Sequence, residues 1–156
     1  MNKLLLIAFM ALAVVGCKKD ASQVVKVNDH LMGKWTVQSN KITYYDQTGQ
    51  KEYEEMLEGG SIINEISFMK SLKASLVTRD REVLTTGYNL AEEKSLIYIE
   101  LFDASIFEAH VWKIVDISAN DMIWEVNFSD IKYEDKDTGE IIEAPKAILI
   151  LKFSKQ

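Results

Sequence analysis

Two histidines and one cysteine are a thin supply of chemistry for 156 residues. His30 and His110 are the only imidazoles that could act as bases near neutral pH. Taken as one strand, Ile106–Val115 puts Glu108, His110 and Trp112 on a single face. Turned inward, that pair would be an acid/base couple or a polar anchor inside a cavity. The opposite face, Phe107, Ala109, Val111 and Val115, is the more apolar, so an outward, solvated His110 is the plainer expectation. No HExxH, CxxC, GxGxxG, P-loop or Gly-X-Ser-X-Gly motif occurs, and no enzyme, metal or cofactor is expected. Asp135–Glu140, "DKDTGE", lacks the Asp/Asn-Gly pair of a calcium loop and is expected to be a hairpin tip.

Cys17 is the only thiol, which excludes an internal disulfide. It follows "MNKLLLIAFMALAVVG": one cation, an uncharged apolar run from Leu4 to Val15, then small residues, the layout of a secretory signal peptide. Val14-Val15-Gly16-Cys17 resembles the bacterial lipobox, in which the cysteine is acylated and becomes the first residue of the mature chain. That resemblance implies cleavage after residue 16, a lipidated tether over 17–28, and anchoring in the bacterial cell envelope. Lys18 does not resemble the aspartate that retains lipoproteins in the inner membrane, so the outer membrane is the expected destination. About 140 residues then remain, one domain with a real core. They carry 17 basic and 24 acidic residues, a balance unsuited to nucleic acid. A monomer is expected.

From Gly33 onward apolar residues recur with period two. Eight strands are predicted: Lys34–Tyr44, Ser61–Met69, Leu72–Arg79, Glu82–Leu90, Ser95–Leu101, Ile106–Val115, Met122–Ser129 and Lys146–Ser154, divided by short polar turns. Alternation is clearest at Met122, Trp124, Val126 and Phe128, and at Ala147, Leu149, Leu151 and Phe153. A helical turn is expected at Asn28–Met32 with Asn28 as N-cap, and a helix at Glu52–Glu58 before Gly59-Gly60. Pro145 stands where the last strand would begin. The predicted fold is all-β, an eight-stranded antiparallel up-and-down β-barrel over residues 29–156.

A short helical turn followed by Gly33-Lys34-Trp35 at the head of strand one, with "WKIVDISANDMIWEV" later in the chain, is similar to the Gly-X-Trp motif and penultimate hairpin of lipocalins and bacterial lipocalin-like lipoproteins. The resemblance covers roughly residues 29–156. It implies that Trp35 plugs the closed end of a barrel. The family often places an arginine over this tryptophan late in the last strand; here the nearest candidates are Lys152 and Lys155.

In an up-and-down meander alternate connections emerge at one end, so the two long ones, Asp46–Gly60 and Asp130–Pro145, share a mouth opposite Trp35. With Lys146 included in the second, they carry about −4 and −3, the whole charge excess of the mature chain. Such a mouth would repel carboxylates and admit neutral or cationic ligands. A cup for a small apolar or amphipathic ligand is therefore expected, with Trp35, Tyr88, His110, Trp112 and Trp124 as candidate contacts. The competing expectation is a filled barrel that meets another envelope protein or glycan through its acidic loops.

Overall fold

A computed structural model describes residues 22–57, 63–104, 106 and 108–156. Cys17 and the leader lie outside the described residues. The elements run α1 (Gln23–Leu31), β1 (Gly33–Tyr45), β2 (Lys51–Met56), β3 (Ile63–Met69), β4 (Lys73–Thr78), β5 (Val83–Glu93), β6 (Leu96–Leu101), β7 (Val111–Ile117), β8 (Asp121–Glu134) and β9 (Ile141–Lys155).

Period-two patterning closes a barrel because each strand has one apolar face to bury. β1 pairs antiparallel with β3, the pairing continues in order through β9, and β9 returns to β1 from Trp35↔Lys155 to Tyr45↔Lys146. Eight strands thus form a closed antiparallel barrel with no free edge in its wall. The ninth, β2, stands outside the ring. β1 is long enough to pair with β3 near its start, Gly33–Thr36, and with β2 near its end, Lys41–Tyr45. The inward faces carry Ile66 and Phe68, Ala74 and Leu76, Trp112 and Ile114, Met122 and Trp124, and the alternating set Ala147–Phe153, all buried.

Both helical expectations need correction. The N-terminal helix spans Gln23–Leu31 and is capped by Ser22, whose side chain accepts from the Val25 N–H. Asn28 lies inside it, and its Oδ1 accepts a 2.9 Å hydrogen bond from the Tyr88 hydroxyl. Val24, Val27 and Leu31 fall at i, i+3 and i+7 and pack on the barrel's end, so part of the expected tether is a docked helix. The segment expected as a helix at Glu52–Glu58 is strand β2 through Met56; residue 58 lies outside the described residues. Its glutamates favour helix in isolation, but the ladder to β1 decides.

The second long connection is also a hairpin. β8 and β9 extend to Glu134 and from Ile141, around a turn in which Asp135 Oδ1 accepts from the Asp137 and Thr138 N–H groups. Pro145 is therefore inside β9, opposite Asp130, where the ladder is interrupted between Ser129↔Lys146 and Ile131↔Ala144. Asp130 has φ of 52°, so the inward face changes phase: Val126 and Phe128 below it are followed by Ile131 and Tyr133 above. Pro145 has no N–H to contribute at that break.

Candidate ligand-binding site

At the closed end, the Trp35 indole is wholly buried and its Nε1–H donates to the Leu31 carbonyl at 2.7 Å. The Lys155 ammonium sits 5.0 Å from the Trp35 ring centroid and donates to the His30 carbonyl at 2.9 Å. Two carbonyls that end α1 without helical partners are thus satisfied by side chains of the barrel. Gly33 has φ of +116°, a backbone conformation that favours glycine, and a Cβ there would crowd Lys155 Cε at 3.0 Å. Of Lys152 and Lys155, the two nearest candidates late in the last strand, it is Lys155 that lies over the tryptophan.

Above this floor the barrel is filled. Trp124 meets Phe153 at 5.0 Å, Trp112 at 6.0 Å and Phe68 at 6.2 Å between ring centroids, and Phe68 meets Tyr88 edge-on at 5.1 Å. Trp35, Tyr88, Trp112 and Trp124 are therefore packed core in this part of the barrel, and none of them lines the pocket at its other end. The Trp124 indole N–H is buried without a partner among the described residues.

The strand expected over Ile106–Val115, and with it His110 as a ligand contact, is corrected as well. Ile106 and Ala109 form a bridge closing a tight turn with Glu108 at φ of 63°, and β7 begins only at Val111. The imidazole is exposed, with Nδ1 3.1 Å from the Ala104 carbonyl. Trp112 and Ile114 face inward, whereas Val111 and Val115 are 47% and 46% exposed, the reverse of the face expected from apolarity. The tight turn re-aims the chain just before the strand, separating His110 from Trp112.

The open space lies at the opposite end. A concave pocket of about 520 Å³ is lined by Ile42, Leu57, Phe128, Ile131 and Leu149, with Glu108, Ser129 and Asp130 as its polar groups. Parity of the strands predicts the end, but not these residues, because the pocket depends on the turn at Glu108 and the phase change at Asp130. Its volume falls in the range of small-molecule sites.

The mouth is built from two fastened hairpins. Tyr44 stacks on Tyr133 at 4.2 Å, and Tyr53 lies 5.3 Å from Tyr133 in nearly parallel planes. Glu55 accepts from the Tyr44 hydroxyl and pairs with Lys136 at 2.9 Å, joining β2 to the β8–β9 tip. Burial and the adjacent Glu55 carboxylate push Tyr44 up to about 12. Hydrogen bonds from Lys41, Lys51 and Thr43 hold Glu54 down to about 2.

An up-and-down barrel with a plugged floor, a packed waist and an open apolar mouth defines the class: an eight-stranded antiparallel β-barrel with a pocket at one end. No protein-family model matches the sequence, and no curated protein matches it significantly. Among solved structures the chain is similar to a lipocalin-like protein from Bacteroides uniformis ATCC 8492. The match has 16% identity and a TM-score of 0.38, over 81% of this chain and 99% of that one. The fold itself stands on the strand pairing described above.

Proposed function

We propose that the chain is a lipid-anchored, lipocalin-like envelope lipoprotein that binds a small apolar or amphipathic molecule in the mouth of its barrel. The observation that carries this reading is the 520 Å³ pocket, whose walls are apolar except at Glu108, Ser129 and Asp130. Ligand contact moves from the tryptophans to Ile42, Phe128, Ile131 and Leu149, since the waist has no room. Anchoring is supported by the apolar run ending in Val14-Val15-Gly16-Cys17. Several acyl chains, at about 0.8 kcal/mol per buried CH₂, would hold the domain at a membrane surface.

The aromatic packing of the waist favours a second reading, in which the barrel is a scaffold and the acidic hairpins contact another envelope component. Titration with a neutral apolar alcohol separates the two. Wild-type protein should bind it saturably, while Phe128→Arg, which projects a long charged chain into the pocket, should lose binding and keep its circular dichroism spectrum. No saturable binding by the wild type would leave the scaffold reading in its place. The anchor has its own test: labelled palmitate should enter the wild type and be absent from Cys17→Ser, and its absence from the wild type would remove the anchor.

A further inference from the structure

We infer that the mouth pocket selects cationic amphiphiles, with Glu108 and Asp130 receiving the positive group while the apolar wall takes the body; this rests on the mouth-binding reading above.

The lysines of the mouth hairpins are engaged. Lys41 and Lys51 pair with Glu54, Lys132 with Glu143 and Lys136 with Glu55, and Lys146 lies over the Tyr45 ring. Glu108 and Asp130 differ: both line the apolar pocket, and neither makes an ion pair or side-chain hydrogen bond among the described residues. No basic residue lines the pocket with them. Both also hold the left-handed backbone conformation, at φ of 63° and 52°. Glu108 shares this with Leu72, Arg81, Lys94 and Ser95, which likewise sit in tight turns between strands. Asp130 sits within β8, where the phase change that brings both Phe128 and Ile131 to the pocket also sets this exposed residue at its edge, between the pocket and a smaller recess beside Glu143 and Pro145. Such conformations persist where surrounding structure imposes them.

A bare metal ion does not fit this arrangement, because nowhere among the described residues do three metal-ligating side chains converge. Two solvated carboxylates hold a cation weakly on their own. They become selective when the cation carries an apolar body, since each methylene buried against Ile42, Phe128 or Leu149 multiplies affinity about fourfold. An anionic amphiphile would bury the same body and face uncompensated repulsion.

Phenylpropyltrimethylammonium, phenylpropanol and phenylbutyrate share an apolar body and differ in charge. Ligand-observed NMR titrations would use the full chain in phosphatidylcholine nanodiscs, with empty discs subtracting bilayer uptake. The ammonium probe should bind about fivefold or more tighter than the alcohol, and the carboxylate weakest. In Glu108→Gln/Asp130→Asn the ratio of ammonium to alcohol affinity should fall toward one; Asn accepts the backbone angle of residue 130. The wild-type preference should also shrink at 1 M salt, a readout independent of whether the variant folds. Equal or tighter binding of the alcohol by the wild type, or a preference that survives the double substitution, would overturn the selectivity and leave the ligand cup standing. Failure of all three probes would overturn the cup and the selectivity together.

Discussion

The ring of Tyr44 on β1 lies 4.2 Å from the ring of Tyr133 on β8, and this stack adds a side-chain contact between two hairpins that the β1–β9 ladder already joins. The β8–β9 tip, Ile131–Glu134 with Ile141–Ala144, extends past the end of the β1 ladder at Tyr45↔Lys146, where no neighbouring strand completes it among the described residues. A hairpin of two strands is marginal on its own in water. Three stacked tyrosines and the Glu55–Lys136 pair supply the missing third partner.

Tyr133→Ala should therefore loosen the mouth and spare the floor. Aromatic pairs contribute about 0.5–1.5 kcal/mol beyond their burial. Amide hydrogen exchange should accelerate in Lys51–Met56 and Glu134–Ile141 and stay slow in Met122–Trp124. Uniform acceleration along the chain would mean that the stack supports the whole barrel.

The two buried tryptophans on β1 and β8 offer a matched comparison. Trp35→Phe removes an indole whose N–H is bonded to Leu31 and whose face receives Lys155, leaving the carbonyl unsatisfied. Trp124→Phe removes a donor without a partner among the described residues. The volume lost is the same, so Trp35→Phe should cost about 1–2 kcal/mol more in urea unfolding. Truncation of Trp35 to Ala should cost about 3–5 kcal/mol. Equal costs for the two Phe variants would deny the hydrogen bond at the floor any energetic weight.

Alkaline titration probes the hairpin junction. Tyr44 holds its proton to about 12 through burial and the Glu55 charge, against 10 in the unfolded chain. The folded state then binds more protons than the unfolded one across that interval. The associated stability is complete below pH 10 and is lost as pH rises toward 12. In Glu55→Gln the phenol should titrate lower, yet still above 10 because burial remains; tyrosinate absorbance reads this directly. The sign reverses at Glu54, whose carboxyl is lowered from 4.5 to about 2. Its contribution is present above pH 4.5 and lost as pH falls through 2, and salt should weaken it.

Much of the barrel was legible because its core strands bury one face only. Met122–Phe128 and Ala147–Phe153 alternate without interruption, and the parity of the meander places both long connections opposite Trp35. What escaped the pattern depended on tertiary pairing. Lys51–Met56 is rich in glutamate and resembles a helix locally; it becomes a strand because Tyr53 reaches Tyr44 and Tyr133. The β8–β9 extension is charged, and its alternation changes phase at Asp130, so a period-two window ends there. Val24, Val27 and Leu31 carried a helical signal that a search for strands passes over. The exposure of His110 follows from a turn at Glu108 that no period encodes. The mouth pocket is illegible for the same reason, since its walls come from five separated segments.

Methyl NMR of the protein with phenylpropanol tests the central claim, that ligand enters at the mouth. The methyl signals of Ile42, Leu57, Ile131 and Leu149 should shift saturably, while those of Leu31 and Ile66 near the plugged floor stay fixed. Saturable shifts confined to outward methyls such as Val111 and Val115, or no saturable shift at any site, would contradict the account.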